Sequence, residues 1–385
     1  MTNPAKRIFH QFGNADPVAI VSIAQLFGTS LWFRANSAKD SLIVSWNATA
    51  SDVGLLTSAV QAGFIVGTLA IALSGFADRF RASAIFVASS IAGSLFNAGF
   101  AWLAYDVMTG AMFRFMVGLC IAGIYPIGMK LIVSWEPTHT GKALALLVAM
   151  LPLGTALPHF LRATRGDLPW QWIVTASSLL AVVGAGLIHA LCDGPHLALR
   201  PKRESKTNPQ CFSALSAFRY RAFRAASVGY FEHMWELYAF WTIVPLLVAT
   251  TGLSTSHSTI GVSAIAFSVI AIGAVRCLIG GRLSRTISSE RVALGSLTIS
   301  GSCALVFVLF WQLMSPVALL TVLLVWEASV VAGSPQFSAR RKPLVAQLPS
   351  RTPSALQSPL CQSGSNSTLR MDWTAGSMAA SAGAI

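Results

Sequence analysis

Five ionisable side chains lie inside stretches that are otherwise apolar: Arg114, Glu232, Glu236, Arg276 and Glu327. A charge held in hydrocarbon costs roughly 2.5 to 3.5 kcal/mol on insertion scales, so each of the five is a candidate for function. Glu232 and Glu236 stand four residues apart and therefore share one face of a helix. Two carboxylates side by side in a medium of low dielectric repel when both are ionised, which suits them to binding and releasing protons. A plainer reading pairs Glu232 with Arg224 near the headgroups and makes Glu236 structural as well. Tyr230, His233, Trp235, Tyr238 and Trp241 add aromatic surface and hydrogen-bonding groups around the pair, and His233, off the glutamate face, reads as structural.

Arg114 and Arg276 keep their charge in any protein setting. A buried guanidinium suits an anionic group gripped through two parallel hydrogen bonds. The other reading of Arg114 makes it a partner for backbone carbonyls or a carboxylate; Arg276, nearer a span end, also fits a loop-packing role, and Lys130 reads as an interfacial anchor. Gln25, Thr29, Trp32 and Asn36 recur at three- and four-residue spacing and form a polar and aromatic stripe. Such a stripe lines a cavity or forms hydrogen bonds between helices.

Holding these groups within a bilayer takes elements of about 20 apolar residues. The sequence offers ten: 18–37, 53–75, 84–104, 107–133, 142–161, 170–191, 226–249, 260–280, 292–313 and 316–334. With 54% hydrophobic and 11% charged residues and a mean hydropathy of +0.63, the chain is too apolar for a soluble fold. The net charge of +13 raises nucleic acid as a partner, and its placement argues against it. Lys and Arg gather in alternate loops (Lys6, Arg79, Arg81, Lys142, the run from Arg200 to Arg224, and Arg282 to Lys342), leaving only Arg34, Lys39, Arg162 and Arg165 on the other side. That asymmetry places the N-terminus in the cytoplasm. The first apolar run is full length and lacks a small-residue cleavage site, so it stays as a membrane helix. Six scattered cysteines without a CxxC pair speak against a disulfide framework or a metal site. No phosphate-cradling glycine loop, HExxH or nucleophile elbow is present, so neither a cofactor nor enzyme activity is expected. Gly63 and Gly67 form a small-xxx-small pair for close helix packing, and Pro126, Pro152 and Pro158 are positioned to bend spans 4 and 5.

Between spans 2 and 3 lies a charged turn, Ser74-Gly75-Phe76-Ala77-Asp78-Arg79-Phe80-Arg81. A weaker copy, Gly280-Gly281-Arg282-Leu283-Ser284-Arg285, begins 206 residues later between spans 8 and 9, as an internal duplication would place it. The pattern resembles the major facilitator superfamily, whose corresponding loop reads Gly-xxx-Asp-Arg-x-Gly-Arg. Asp78 and Arg79 match; Ser74 and Arg81 stand at the two glycines, and Ser284 at the aspartate of the second copy. Arg114-Phe115-Met116-Val117-Gly118 fits the Arg-xxx-Gly of some members' fourth helix.

The resemblance implies an all-α membrane protein, a polytopic helical bundle of about ten transmembrane helices. Its parts are a six-helix N-terminal bundle (1–191), a basic cytoplasmic linker (192–225), an incomplete four-helix C-terminal bundle (226–334) and a disordered polar tail (335–385). It further implies a midplane site lined by helices 1, 4, 7 and 10, which brings Arg114, Trp32, Asn36, Gln25, Thr29 and Tyr238 to the solute and Glu236, Glu232 and Glu327 to the proton. Asp78, Arg79, Arg81 and Arg285 would form a conformational latch. The expected activity is secondary active transport of a small organic or inorganic anion across the inner membrane, with solute, protons and lipid as partners. Span 5, over 143–160, lacks the glycine-rich signature of nitrate-type members. Efflux of a hydrophobic compound is one alternative. The other is a membrane protein without transport activity, since the Ser-, Pro-, Ala- and Gly-rich stretch after Gly333 holds no eleventh or twelfth span, as a truncated or frame-shifted end would leave it.

Overall fold

The computed structural model describes residues 16–32, 42, 45–164, 169–197, 221–251, 253, 259–283 and 289–339, and the regular elements among them are helices. Helix α1 (Pro17–Thr29) starts where the Asp16 side chain accepts the Val18 N–H and Pro17 supplies a preset φ. It stops at Thr29, inside the apolar run that reads as one uninterrupted span over 18–37; Asn36 lies outside the described residues. Helix α2 (Ala50–Ser74) opens on a capping box between Thr49 and Asp52 and closes at Gly75, whose φ of 62° is left-handed and free of a Cβ clash. A single turn, α3 (Phe76–Arg79), leads into α4 (Ala82–Trp102).

Helix α5 (Val107–Ala122), capped by Asp106 and Thr109, breaks at Gly123 and Ile124 before α6 (Tyr125–Trp135). Pro126 has no N–H to offer the Ala122 carbonyl, so the fourth span is two helices where a bend was expected. Then follow α7 (Thr140–Thr164), α8 (Trp170–Leu191), α9 (Arg221–Thr250), α10 (Thr259–Leu283), α11 (Ser289–Phe310) with a 3-10 turn over Trp311–Leu313, and α12 (Pro316–Ala339). Helix α9 thus begins within the stretch expected as linker, and α12 runs past the expected start of the tail at 335.

Seven stretches among the described residues are long and apolar enough to cross a membrane, with α5 and α6 counted as one. Three of the ten expected spans fall short of that measure. The described parts of the first and last are the shorter apolar helices Pro17–Thr29 and Pro316–Val331. The third is α9, whose apolarity is diluted by Arg221, Arg224, Glu232, His233 and Glu236.

The first group of helices closes around α1, which packs on α6, α7 and α8; α2 lies along α5, and α4 along α8. In the second group α12 is central, against α9, α10 and α11. The broad contact of α7 with α10 joins the groups, and one continuous apolar core runs through both. Helix α11 has the least covered surface of the membrane-crossing stretches and exposes Leu305, Val308 and Leu309. The α2–α5 crossing is the tightest. A methyl group on Gly63 would overlap the Phe115 carbonyl oxygen, and one on Gly118 the Val60 carbonyl oxygen, so the backbones touch only because side chains are absent. Gly118→Leu is therefore expected to cost about 1 to 3 kcal/mol or more through overpacking. A lowered melting temperature in detergent checks this, with Gly295→Leu as the control, since a Cβ there meets nothing within 4 Å.

Candidate transport site

Arg114 is fully buried on α5 and reaches the end of α1. Its Nη1 donates to the Leu31 carbonyl at 3.1 Å and to Asn97 Oδ1 at 3.5 Å, and its Nη2 donates to the Trp32 carbonyl. Asn97 is fixed in turn by donating to the Val174 carbonyl (3.1 Å) and Ser178 Oγ (3.0 Å). The Phe100 ring lies 5.6 Å from the guanidinium carbon. A helix that stops within the protein leaves carbonyls without donors and a negative dipole end, and a buried cation answers both. Expected as an anion ligand, Arg114 has both Nη groups committed to α1 and Asn97; Nε has no acceptor among the described residues.

Trp32 is the point where the two groups of helices meet near this end. It donates through Nε1 to Gln61 Oε1 at 3.0 Å and packs its ring on Phe64 and, at 5.5 Å between centroids, on Tyr238 of α9. The rest of the α1 stripe turns elsewhere. Gln25 is buried with its amide against Gly128 of α6, neither amide atom having a partner among the described residues. Thr29 donates back to the Gln25 carbonyl at 2.9 Å and lies against Gly154 of α7.

The carboxylates on α9 and α12 exchange partners reciprocally. Glu327 of α12 is fully buried and accepts the Trp241 Nε1–H of α9 at 2.8 Å. Glu236 of α9 accepts the Trp326 Nε1–H of α12 at 3.2 Å. Gly273 of α10 makes room for Glu327, since a Cβ there would collide with Oε1. Oε2 of Glu327 has no partner among the described residues. The ion pairs among those residues are Arg81–Asp193, Lys130–Asp78 and His139–Glu136, none of which involves Glu236 or Glu327. His233 is buried on the face of α9 that carries Leu237 and Trp241, Arg276 is exposed, and the Glu232 side chain lies outside the described residues. Sequence reading placed Trp241 and Trp326 near the glutamates but missed them as donors; only the register of α9 on α12 supplies that.

At the other end of the helices, the charged turn is tied to its own group. Lys130 donates to the Ala77 carbonyl (2.5 Å) and to Asp78 Oδ1 (3.0 Å), which makes it a partner of the turn as well as an interfacial residue. Asp193 accepts from Arg81 Nε at 2.8 Å and from the Ser83 N–H at 2.7 Å, capping α4 from beyond α8. Arg79 is exposed, and Arg285 lies outside the described residues. The Asp193 hydrogen bond holds the Arg81 guanidinium above its usual pKa. Nearby, the Thr138 hydroxyl and the His139 N–H pull the Glu136 carboxyl down to about 2. Asp193 and Lys130 were the residues to find by asking which charges could answer Arg81 and Asp78.

A bundle of membrane-crossing helices with an arginine and carboxylates buried at its centre is the architecture of a solute transporter. Residues 18–340 match the model of the Major Facilitator Superfamily, and the chain belongs to that family. It is a multi-pass membrane protein. Over 130 residues it is 29% identical to the niacin transporter NiaP of Acinetobacter baylyi, a match that covers 31% of this chain and only 29% of that relative. It superposes on the proton:xylose symporter XylE bound to 6-bromo-6-deoxy-D-glucose with a TM-score of 0.66 at 16% identity, covering 95% of this chain and 85% of that one. A bacterial homologue of the human lysosomal transporter Spinster, inward-facing and unoccupied, gives a TM-score of 0.54 at 16% identity, covering 89% and 78%. At these identities the solved structures establish the shared fold.

Proposed function

We propose that the chain is a secondary active transporter that moves a small solute across the cell inner membrane by alternating access, coupled to protons at Glu327 and Glu236. The observation that carries this reading is Glu327, a fully buried carboxylate held by one indole N–H and by no cation among the described residues. A buried ionisable group in a membrane helix marks a proton or ion path by default. The two groups of helices, 1–191 and 226–334, rock about the Trp32–Tyr238 contact and the α7–α10 seam. The N-terminus and the basic loops lie in the cytoplasm, where Asp78 and Arg81 keep the α3 turn on its own bundle. The likeness to a proton:xylose symporter and to a niacin transporter supports a small solute. A small anion is the second reading, and what favours it is the unpartnered Nε of Arg114.

The test is proton movement reported by a pH-sensitive dye trapped in proteoliposomes, on addition of D-xylose, nicotinate and benzyltrimethylammonium in turn. A solute that moves protons supports the reading. Uptake of any of them with no proton movement sinks the coupling.

A further inference from the structure

Resting on the reading of Glu327 and Glu236 as the proton site, we propose that the same site takes an organic cation, so that the solute exchanged for a proton is itself positively charged. The argument begins with charge balance. The buried basic side chains of the described helices, Arg114 and Lys130, are committed to the end of α1 and to Asp78. On the elements packed against α12, the charged or titratable side chains described are Glu236 and His233 on α9, Arg276 on α10 and Arg291 on α11, with Arg221 and Arg224 in the first turns of α9. All four arginines are exposed. A carboxylate as buried as Glu327 that gives up its proton and gains no positive charge is left uncompensated, the most penalised state of such a group. Proton release is therefore tied to the arrival of another cation.

The surroundings select the kind of cation. A small inorganic ion needs several oxygens closing around it. Among the described residues no three of His, Cys, Asp and Glu gather to hold a metal. Rings gather instead: Trp241 lies beside Tyr238, Tyr238 beside Trp32, and Trp326 beside Phe240. The two indoles present their N–H edges to the carboxylates, so ring faces are what remains to a ligand, and ring faces attract substituted ammonium groups. Glu327 Oε2, fully buried and without a partner among the described residues, is the acceptor that such a group would neutralise.

The experiment is calorimetric titration of the full chain in nanodiscs with benzyltrimethylammonium, run in two buffers of different ionisation enthalpy. We expect saturable binding that releases about one proton per cation and weakens about tenfold per pH unit on the acid side. Neither neopentylbenzene, its neutral isostere, nor nicotinate should compete. Proton release should vanish in Glu327→Gln, and affinity should fall in Trp241→Phe, which keeps the ring and loses the N–H. Competition by neopentylbenzene, binding of nicotinate in place of the cation, or proton release that persists in Glu327→Gln would each overturn the proposal. The infrared band of a protonated carboxyl, recorded without solute and absent in Glu327→Gln, tests the proton reading alone. With that band present and no cation bound, the cation proposal falls by itself.

Discussion

Glu327→Gln is expected to lower solute accumulation driven by a pH gradient on the order of 100-fold, the scale of loss when a positioned proton-transfer group is removed. Glutamine matches glutamate in size, so it still fits against Gly273 and still offers an oxygen to the Trp241 N–H. What it cannot do is take up and release a proton. The folded protein should therefore survive, and exchange of labelled for unlabelled solute without a pH gradient should stay within a few-fold of wild type. Glu236→Gln should have the smaller effect, because Glu236 is only half-buried and solvent can serve it. Loss of exchange together with accumulation in Glu327→Gln would assign Glu327 to solute binding or structure instead of coupling.

The second large effect is expected at Arg114. Hydrogen bonds from a charged donor contribute about 1.5 to 3 kcal/mol each. Arg114→Leu removes the donors to the Leu31 and Trp32 carbonyls and leaves Asn97 Oδ1 without its guanidinium, all in buried surroundings. A loss of about 3 to 5 kcal/mol is the scale for stripping a buried charge from its partners. Thermal melting in detergent should show it, with Arg114→Lys intermediate, since one ammonium cannot span both carbonyls as the planar fork does. The outcome also separates the two roles of this residue. A helix-end cap predicts lost stability for every solute alike; an anion ligand predicts near-normal melting and a raised KM for anions only.

Much of this was legible in the chain. Runs of apolar residues gave the helices because bilayer thickness fixes their length, and Gly123 with Pro126 announced the break between α5 and α6 through missing hydrogen bonds. The charged turn at Asp78 and Arg79 pointed to the family that the match over 18–340 establishes. The end of α1 was not legible, because nothing between Ser30 and Trp32 disfavours a helix locally; the cause sits 82 residues away in Arg114. The same holds for the reciprocal pairs of α9 and α12. Glu236 and Glu327 were visible as charges in apolar runs, but which indole serves which carboxylate depends on how two helices align. Asp193 capping α4 is likewise a contact across 110 residues. Composition and spacing report what a segment must bury, and they are silent on the partner when it comes from another part of the chain.

The crossed indole pairs on α9 and α12 also carry optical information. Indole absorption and emission respond to the charge of the group that accepts the N–H, and here Trp241 reads Glu327 while Trp326 reads Glu236. Of the eleven tryptophans in the chain, these two address separate carboxylates. Replacing either by phenylalanine silences one channel and leaves the other, so each carboxylate acquires its own spectroscopic colour without a label being attached.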